Sequence, residues 1–521
     1  MNKGFSALTR KKFIAHLYLK PLIYQLIIII FLFLLNAPTK LYGKSGSVIV
    51  WGNSATGPTN VPSGLTNCVS IAAGKNHCLA ALEDGRVIGW GDNQLGQLNI
   101  PPQATNVVLV SAGFGHSVAL RKDGTVVAWG YNDAWQTNVP AGLSGVISIA
   151  SGDSFNLALL SDGRIVGWGG PQYGTTPGRP PQALTNGSMP VISIGAGNNH
   201  GIAVDGYYRV WVWGTSDYRI LQIPEGLTNF LYQTIAVAGG SAHCLALLNN
   251  GTVIGWGDNY FGQSYGISGA KSIAAYGNTS MAILQNNNVV VWGDNTYGQR
   301  QIPSNLSNVV SIAAGDGYCM AIYLEPVKIV LQPQSQSAIA GNSVSFVVSA
   351  LGSQPIAYQW QHQGTNLPNC TNYFLTLQNV QSNQAGSYKV IVSNEISSEE
   401  SQSATLNVWV PPTIITQPTN QSVPLGGTAQ FSVTVQGTSP FYYQWRKNGT
   451  NIPNATVVPY IILNAQSSDA ADYSVVISNI AGVVTSATAH LTVNLPPTIL
   501  VQPKSQSVMV GSSVTFSVVD S

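Results

Sequence analysis

Histidine side chains recur at one position of a repeated pattern between residues 47 and 324. Each stands three residues after a pair that we call the glycine mark, a small residue followed by glycine. The histidines at this position are His77, His116, His200 and His243. Imidazole groups bind metal ions and transfer protons near neutral pH, so four equivalent copies could form a metal-binding ring. Other repeats have Phe155, Ser280 and Tyr318 there, which favours a structural role, and we predict no metal and no cofactor.

Acidic residues offer a second candidate chemistry. Asp-Asn pairs shortly follow three Trp-Gly dipeptides, at Asp92-Asn93, Asp258-Asn259 and Asp294-Asn295. They could hold a cation, but such side chains commonly cap their own backbone in turns, and we favour that interpretation. Gly152-Asp153-Ser154 begins like a lipase motif, yet it lies at a glycine mark without an apparent base partner, and we interpret it as coincidence. Without a zincin, nucleophile-elbow or phosphate-loop motif, the sequence predicts no catalytic residue and no enzyme.

Aromatic residues are the most promising binding groups. The fifth residue after each Trp of a Trp-Gly pair is Thr56, Leu95, Ala134, Tyr173, Tyr218, Phe261 or Tyr297, and Trp135 and Tyr260 are adjacent to this position. Aromatic side chains anchor protein or sugar partners. The predicted binding residues are Trp135, Tyr173, Tyr218, Tyr260, Phe261 and Tyr297. Packing between neighbouring repeats would give the same preference, and we favour packing for this position except at Trp135, which is out of register.

The elements that position these groups form an array. Seven Trp-Gly pairs begin at Trp51, Trp90, Trp129, Trp168, Trp213, Trp256 and Trp292, at spacings of 39, 39, 39, 45, 43 and 36 residues. The glycine marks end at Gly74, Gly113, Gly152, Gly197, Gly240 and Gly315, with a Tyr276-Gly277 variant. Alternating apolar runs between glycine mark and Trp flank turns such as Asp123-Gly124, which predicts a β-hairpin in each repeat. A further apolar run before each mark predicts a third strand.

The two ends of the array are complementary. Trp51 has no preceding glycine mark, whereas Gly315 has no following Trp-Gly pair. A ring could join these halves, with residues 47–51 paired beside residues 319–323, and would leave no free strand edge. The sequence therefore predicts an all-β fold in which residues 44–325 form a seven-bladed β-propeller closed by its first strand.

The repeat resembles that of the regulator of chromosome condensation propeller family. The shared pattern is Ala-Gly-x-x-His-x-x-Ala-Leu, then Asp-Gly-x-Val-x-x-Trp-Gly and Asp-Asn-x-x-Gly-Gln, and it is fullest at residues 73–97. The short units look more like the bacterial secreted members, which include a β-lactamase inhibitor protein. The founder's activity, nucleotide exchange on a nuclear GTPase while bound to chromatin, fits poorly with a chain that has an export signal and an acidic mature part.

A second repeat follows with a period of 85 residues. Trp360 recurs as Trp445, Tyr388 as Tyr473, and Phe346 as Phe431. One central Trp and a late Tyr among short alternating strands resemble the immunoglobulin sandwich, with Trp in the core and Tyr as a corner. In place of the usual disulfide, apolar residues are expected to pack. We predict immunoglobulin-like domains at residues 327–410 and 411–495, and the truncated start of a third at residues 496–521.

Composition bounds the location and the partners. Residues 1–43 contain six of the 22 basic residues and no acidic one. Within this segment, basic residues up to Lys20 precede an apolar run at residues 22–35, an order that is typical of a signal peptide. Without this segment, 16 basic and 20 acidic residues leave a net charge of −4, which does not fit nucleic-acid binding. Five cysteines with no CxxC pair indicate neither a disulfide framework nor zinc.

These features predict a secreted or cell-surface protein that recognises or adheres to a partner without catalysis. The expected partner is a protein or glycan at the cell surface, bound by a monomer that is not inserted in the membrane after signal cleavage. One alternative is a secreted inhibitor or regulator of an enzyme. Guanine-nucleotide exchange is a further alternative that only the family resemblance suggests.

Overall fold

The computed structural model describes residues 45–55, 57–170, 177–215, 217–229 and 231–521. The predicted signal peptide and the predicted binding residue Tyr173 lie outside these ranges. The chain divides into two compact units, one of Met1–Val327 with Gly352–Ile356 and Asn394–Ser397, the other of Lys328–Leu351, Ala357–Ser393 and Ser398–Ser521. Within the described ranges, no helix is long and apolar enough to cross a membrane.

The described part of the first unit contains seven antiparallel sheets of three strands each. Six of them are built from strands that are consecutive in the chain. These are β2 (Cys68–Ala73), β3 (His77–Leu82) and β4 (Val87–Gly91); β5 (Val107–Ala112), β6 (His116–Arg121) and β7 (Val126–Gly130); β8 (Val146–Ser151), β9 (Phe155–Leu160) and β10 (Ile165–Gly169); β11 (Val191–Ala196), β12 (His200–Asp205) and β13 (Val210–Gly214); β14 (Thr234–Gly239), β15 (His243–Leu248) and β16 (Val253–Gly257); and β17 (Ala270–Tyr276), β18 (Thr279–Leu284) and β19 (Val289–Gly293).

The seventh sheet combines the two ends of the repeat array. It contains β20 (Val309–Ala314), β21 (Tyr318–Tyr323) and, as its third strand, β1 (Ser47–Gly52). Strand β1 runs antiparallel to β21, with Ser47 opposite Tyr323 and Trp51 opposite Cys319. Trp51 therefore has the place in this sheet that Trp129, opposite Ser117, has in the β5–β7 sheet.

Hairpins join the second and third strands of the six sheets that are built from consecutive strands, as the turn sequences predict. In the β6–β7 hairpin, Gly124 adopts a φ of 79°, a left-handed conformation that glycine reaches without steric cost. The Asp123 carboxylate accepts a hydrogen bond of 3.0 Å from the Thr125 amide and so closes the turn.

Each tryptophan of the Trp-Gly pairs joins two repeats. All seven indole nitrogens donate a hydrogen bond of 2.8–3.0 Å to a main-chain carbonyl in the loop of the preceding repeat. The donor and acceptor pairs are Trp51 and Gln299, Trp90 and Pro58, Trp129 and Gln97, Trp168 and Gln136, Trp213 and Pro177, Trp256 and Ile220, and Trp292 and Gln263. A buried indole N–H needs such a partner, so the recurring tryptophan has a structural role between repeats.

Seven apolar clusters lie between neighbouring sheets. The cluster around Leu79 and Val110, for example, joins the β2–β4 and β5–β7 sheets. The β1–β20–β21 sheet takes part in two such clusters. Trp51 and Cys319 pack with Met281 of β18, and Val50 and Met320 pack with Cys78 of β3. The remaining sheets are joined in the same way in chain order.

Helical structure is confined to short segments of the described chain. They are α1 (Gln182–Thr185), α2 (Glu225–Thr228) and the 3₁₀ turns Asp217–Arg219, Ser382–Gln384 and Ser467–Asp469. The prediction of an all-β chain is therefore confirmed.

The second unit contains two similar sandwiches. The first is built from β22 (Lys328–Leu331), β23 (Gln336–Ile339), β24 (Val344–Val347), β25 (Ser349–Leu351), β26 (Ala357–His362), β27 (Thr365–Asn366), β28 (Phe374–Leu377), β29 (Gly386–Ser393), β30 (Ser398–Glu400) and β31 (Ala404–Trp409). Its large sheet has the order β23-β31-β29-β26-β27, with β30 beside β29, and the pairs β22–β25 and β24–β28 are separate.

The second sandwich repeats this topology. Its strands are β32 (Thr413–Thr416), β33 (Gln421–Pro424), β34 (Ala429–Phe431), β35 (Thr434–Gln436), β36 (Tyr442–Lys447), β37 (Thr450–Asn451), β38 (Tyr460–Ile462), β39 (Ala471–Asn479), β40 (Gly482–Thr485) and β41 (Ala489–Asn494). The last residues add β42 (Ile499–Val501) and β43 (Val519–Asp520), which pair with each other and contain no buried residue.

Aromatic packing forms the core of each sandwich. Trp445 is fully buried, and the Phe431 ring stacks on Tyr473 at 4.9 Å between centroids. The Tyr473 hydroxyl donates to the Asp469 carbonyl at 3.0 Å, the bond expected of a tyrosine corner. Val475 is fully buried beside them, so apolar packing replaces the missing disulfide as predicted. The first sandwich has the corresponding corner, from the Tyr388 hydroxyl to the Gln384 carbonyl at 2.8 Å.

Candidate binding surface formed by the aromatic loops

Two kinds of loop meet at one edge of the sheets in the first unit. The glycine marks end the first strand of each sheet, and the Trp-Gly pairs end the third. Hydrogen bonds join the two loops within a repeat, as from the Asp92 amide to the Asn76 carbonyl at 2.9 Å. Further bonds join the glycine-mark loops of neighbouring repeats, as from the Asp153 amide to the Asn198 carbonyl at 3.0 Å. These loops therefore lie on one side of the unit, which we call the aromatic face.

Polar side chains hold each loop that follows a Trp-Gly pair. One carboxylate oxygen of Asp92 accepts a bond from the Gln94 amide at 3.2 Å, and the other accepts one from the Gln97 side chain at 3.0 Å. The Gln97 side chain in turn accepts a bond from the Leu95 amide at 2.9 Å. Asp258 and Asp294 make equivalent bonds in their own repeats. The interpretation of the Asp-Asn pairs as turn-capping groups is confirmed.

The loop after Trp129 departs from this arrangement. Tyr131 stands where three other loops have Asp92, Asp258 and Asp294. The buried side-chain nitrogen of Gln136 has no hydrogen-bond partner among the described residues. Trp135 stands where the sequence has glycine in five of the six other loops, at Gly57, Gly96, Gly174, Gly262 and Gly298. Its φ is 65°, in the left-handed region that residues with a Cβ rarely occupy.

The structure places five of the six predicted binding residues on the aromatic face and describes all five as exposed. The exposed fractions are 60% for Trp135, 64% for Tyr218, 85% for Tyr260, 41% for Phe261 and 54% for Tyr297. The Tyr260 and Phe261 rings contact each other edge to face at 4.9 Å. Tyr218 also has a left-handed backbone, with a φ of 52°. The loops thus present aromatic surface from several repeats on one side of the unit.

Some of these residues also pack between repeats. A Cβ added to Gly317 would lie 2.6 Å from the Tyr297 ring, and one added to Gly115 would lie 2.4 Å from the Leu95 side chain. The side chain of one repeat therefore lies on a glycine of the next. At the fifth position after Trp, one side of the side chain packs on the next repeat and the other side is exposed.

The four histidines form a buried layer below this face. Each imidazole Nε2 contacts a side chain of the next repeat, in the pairs His77 and Ser117, His116 and Asn156, His200 and Cys244, and His243 and Ser280. The single hydroxyl proton of Ser117 is donated to the Gln97 carbonyl at 2.8 Å. Nε2 of His77 must therefore carry the proton that it shares with Ser117. The histidines act as links between repeats.

Burial keeps these histidines uncharged. It lowers the pKa of His77 and His243 to about 3 and that of His116 and His200 to about 4, from an ordinary 6.5.

The imidazole rings also explain why each of these marks contains glycine. A Cβ on Gly74 would lie 2.5 Å from the His77 ring and 2.5 Å from the carbonyl oxygen of Gly113 in the next repeat.

One sequence assignment is wrong in the sixth repeat. Thr279, not Ser280, is paired opposite Gly293 as His243 is paired opposite Gly257, and Ser280 stands opposite Trp292. The repeat is one residue shorter between glycine mark and Trp, so counting from the glycine shifts the position by one. Strand register, and not distance from the glycine, determines the equivalent residue.

The structure shows a polar cluster near the glycine marks that the sequence analysis does not predict. Tyr276, the one large residue at a glycine mark, donates a hydrogen bond of 3.1 Å to the Asp153 carboxylate, 123 residues away. Burial raises the pKa of Asp153 and of Asp316, whereas the nearby Lys75 ammonium lowers both. Asp153, dismissed as a motif coincidence, thus joins two distant repeats. The signal that could have revealed the cluster is the exceptional tyrosine at a position of small residues.

Three features describe the chemistry of this face. Its aromatic rings are exposed, its loop carboxylates accept internal hydrogen bonds, and its histidines are buried and neutral. Within the described residues, no group of three or more His, Cys, Asp or Glu is placed to hold a metal ion.

Comparison with known families agrees with the two repeat patterns. Residues 68–97, 107–134, 146–175, 235–263 and 270–299 match the regulator of chromosome condensation (RCC1) repeat. Residues 326–394 and 411–479 match the immunoglobulin domain.

Curated relatives share parts of the chain. It is 26% identical over 238 residues to human Roundabout homolog 3, covering 41% of this chain and 17% of that protein. It is 36% identical over 179 residues to the muscle M-line assembly protein unc-89 of Caenorhabditis elegans, covering 30% of this chain and 2% of that protein. This chain therefore spans less than a fifth of either relative.

Among solved structures, human WBSCR16 aligns at 17% identity with a TM-score of 0.43, over 53% of this chain and 98% of that one. Taken with the repeat spacing and the sandwich cores, the family matches identify the chain as one that carries regulator of chromosome condensation repeats followed by immunoglobulin domains.

Proposed function

We propose that this protein is a non-catalytic extracellular recognition or adhesion protein. In this proposal the first unit is a closed seven-bladed propeller whose aromatic face binds a partner, and the immunoglobulin domains carry it as a string. The signal segment expected at residues 1–43 and the acidic mature chain support a place outside the cell. For the individual domains we propose the residue ranges that the sequence predicts.

Contacts between the two ends of the array support closure. Trp51 of the first strand donates to the carbonyl of Gln299 at 2.8 Å, the same bond that links neighbouring repeats elsewhere. The Tyr318 hydroxyl lies 2.9 Å from the carbonyl oxygen of Gly74 and 2.8 Å from that of His77, and its single proton is shared between them. A ring closed by such bonds has no exposed sheet edge between its ends, which protects a repeat protein from fraying.

The observation that carries the binding role is the exposure of aromatic residues on rigid loops. Trp135, Tyr218 and Tyr260 each expose 60% or more of their surface, although burial of an aromatic ring is strongly favourable. Exposed aromatic residues held by short hydrogen-bonded loops are typical anchors of binding sites. Their recurrence on one side of the unit indicates a shared surface.

Binding of the purified mature chain to the outer surface of cells of its source organism tests this proposal. The variant combines Trp135→Gly, Tyr218→Ala and Tyr260→Ala, because these side chains are the most exposed on the face. We expect cell binding, measured by flow cytometry of labelled protein, to fall at least tenfold.

Tyr442→Ala is the matched control, since Tyr442 is 66% exposed but lies in the second immunoglobulin domain. It should bind as the unchanged protein does. Equal binding by the triple variant, with an unchanged circular dichroism spectrum, would show that the aromatic face has no part in recognition.

A further inference from the structure

We infer that the ligand of the aromatic face is an uncharged polysaccharide with a repeating backbone, bound at several loops at once. This inference rests on the proposed function and specifies the partner of the same surface. Three features of the described loops carry it: the recurrence of the aromatic groups, the internal use of the loop charges, and the backbone of Trp135.

The aromatic groups recur in equivalent surroundings. The amides of Phe261 and Tyr297 each donate to a buried glutamine side chain at 2.9 Å, and the Ala134 amide beside Trp135 does the same. Two successive repeats therefore present an aromatic group on the same local scaffold, and the Trp129 loop presents Trp135 one residue later. A ligand that offers the same chemical unit several times can occupy several such places, and the linked contacts then strengthen one another.

Internal hydrogen bonds occupy the carboxylates of these loops. Asp258 and Asp294 accept bonds from Gln263 and Gln299 at 2.8 and 3.2 Å, and Asp133 accepts one from the Tyr131 hydroxyl at 2.8 Å. Asp258 and Asp294 are only partly exposed, and Asp133 is an exposed carboxylate among aromatic rings, amides and hydroxyls. The remaining negative charge disfavours an acidic ligand, and the exposed aromatic rings favour a neutral one.

Sugar rings suit such a surface. Their C–H groups carry a slight positive charge and pack on the electron-rich face of an aromatic ring. Their hydroxyls can bond exposed amides such as those of Asn132 and Asn138, which bond each other at 3.0 Å on the Trp135 loop.

Trp135 is the strongest single indication. Four other loops of the described chain have a left-handed glycine at this position, whereas this loop keeps a large residue there at a φ of 65° and exposes its ring. Trp135 combines a strained backbone with an exposed aromatic ring, and backbone strain of this kind is concentrated at binding sites.

The test uses four neutral polymers as probes: soluble β-1,3-glucan, mannan, xylan and dextran. Affinity electrophoresis of the full mature chain should show retardation by at least one of them. For that polymer, calorimetry should show at least tenfold tighter binding per chain for the long polymer than for its tetrasaccharide, because only the polymer reaches several loops. Trp135→Gly should weaken polymer binding at least fivefold, and Tyr442→Ala should leave it unchanged.

Each alternative result overturns the inference in a recognisable way. Retardation by none of the four polymers would exclude it, as would equal affinity for polymer and tetrasaccharide. Retardation only by an anionic polymer such as heparin, abolished by 0.5 M salt (about a 4 Å screening length), would indicate a charged ligand instead. Cell binding that depends on the three aromatic residues but is not inhibited by any of the four polymers would leave the proposed function intact and point to a protein partner. Cell binding independent of those residues would remove both proposals.

Discussion

At the scale of single residues, the most informative position is one where the repeat is broken. Trp135 occupies a left-handed glycine position and exposes its ring, and Tyr276 occupies a small-residue position and reaches Asp153. Both departures are visible in the sequence as mismatches to the repeat. Their consequences are not, because a mismatch does not reveal which way the side chain points or what it meets.

Substitution of Trp135 by glycine and by alanine separates the backbone from the ring. Both variants lose the same indole contacts, but only glycine relieves the left-handed strain, so Trp135→Gly should be more stable than Trp135→Ala by about 1 kcal/mol. Urea unfolding monitored for the first unit measures the difference.

Gln94 provides the control for this comparison. It is an exposed residue of an equivalent loop that is not at a left-handed position, so there the alanine variant should be the more stable one. The same order at both positions would contradict the strain at Trp135.

At the scale of elements, the buried histidines show how the first residue of a sheet's second strand binds the next repeat. The imidazoles bond the neighbouring strand while remaining neutral in the folded protein. The unfolded chain binds protons at these histidines below about pH 6.5, whereas the folded chain does so only near pH 3–4. Stability from this source is complete above pH 6.5 and is lost as the pH falls toward 4.

Acidification should therefore destabilise the first unit in the range where carboxylates have not yet titrated. We expect each histidine to contribute a loss on the order of 1–2 kcal/mol between pH 7.5 and pH 5. Thermal unfolding at the two pH values measures the loss, and His243→Gln should reduce it, since a glutamine amide can donate to Ser280 without a titrating proton.

Asp153 and Asp316 act in the opposite direction. Their pKa values are raised by burial, so their contribution to stability increases slightly as the pH falls. A melting temperature that is constant or rises between pH 7.5 and pH 5 would contradict the dominance of the histidines.

At the scale of the whole molecule, the proposed closure of the first unit predicts how its stability depends on the first strand. Trp51→Phe removes the bond from the first strand to Gln299, and Trp168→Phe removes the same bond within the array, from Trp168 to Gln136 at 3.0 Å. In a closed ring the two positions are equivalent. Each variant should lose about 1 kcal/mol of unfolding free energy.

Chemical unfolding of the two variants side by side measures the ratio of their losses of unfolding free energy, and this ratio tests closure. If Trp51→Phe melts like the unchanged protein while Trp168→Phe is destabilised, the first strand is not part of the cooperative unit. Deletion of residues 45–52 should then also be harmless, whereas a closed ring predicts that it destabilises all seven sheets.

Local patterns account for what could be predicted without coordinates. Alternating apolar residues around Asp123-Gly124 specify a hairpin, and the 85-residue period places Trp445 and Tyr473 in a sandwich core, because strand alternation and turn conformation depend on near neighbours in the chain. The aromatic loops were also predictable as a set, from their fixed distance after Trp.

By itself, then, the sequence determined the strands, the turns, the all-β architecture and the position of the aromatic residues in the loops. Only the tertiary structure decided how repeats join: that each indole bonds the preceding loop, that His77 bonds Ser117, that Thr279 replaces histidine in a shortened repeat, and that Tyr276 meets Asp153 across 123 residues. These contacts depend on how sheets stack against one another, and side-chain partners in different repeats leave no trace in local spacing.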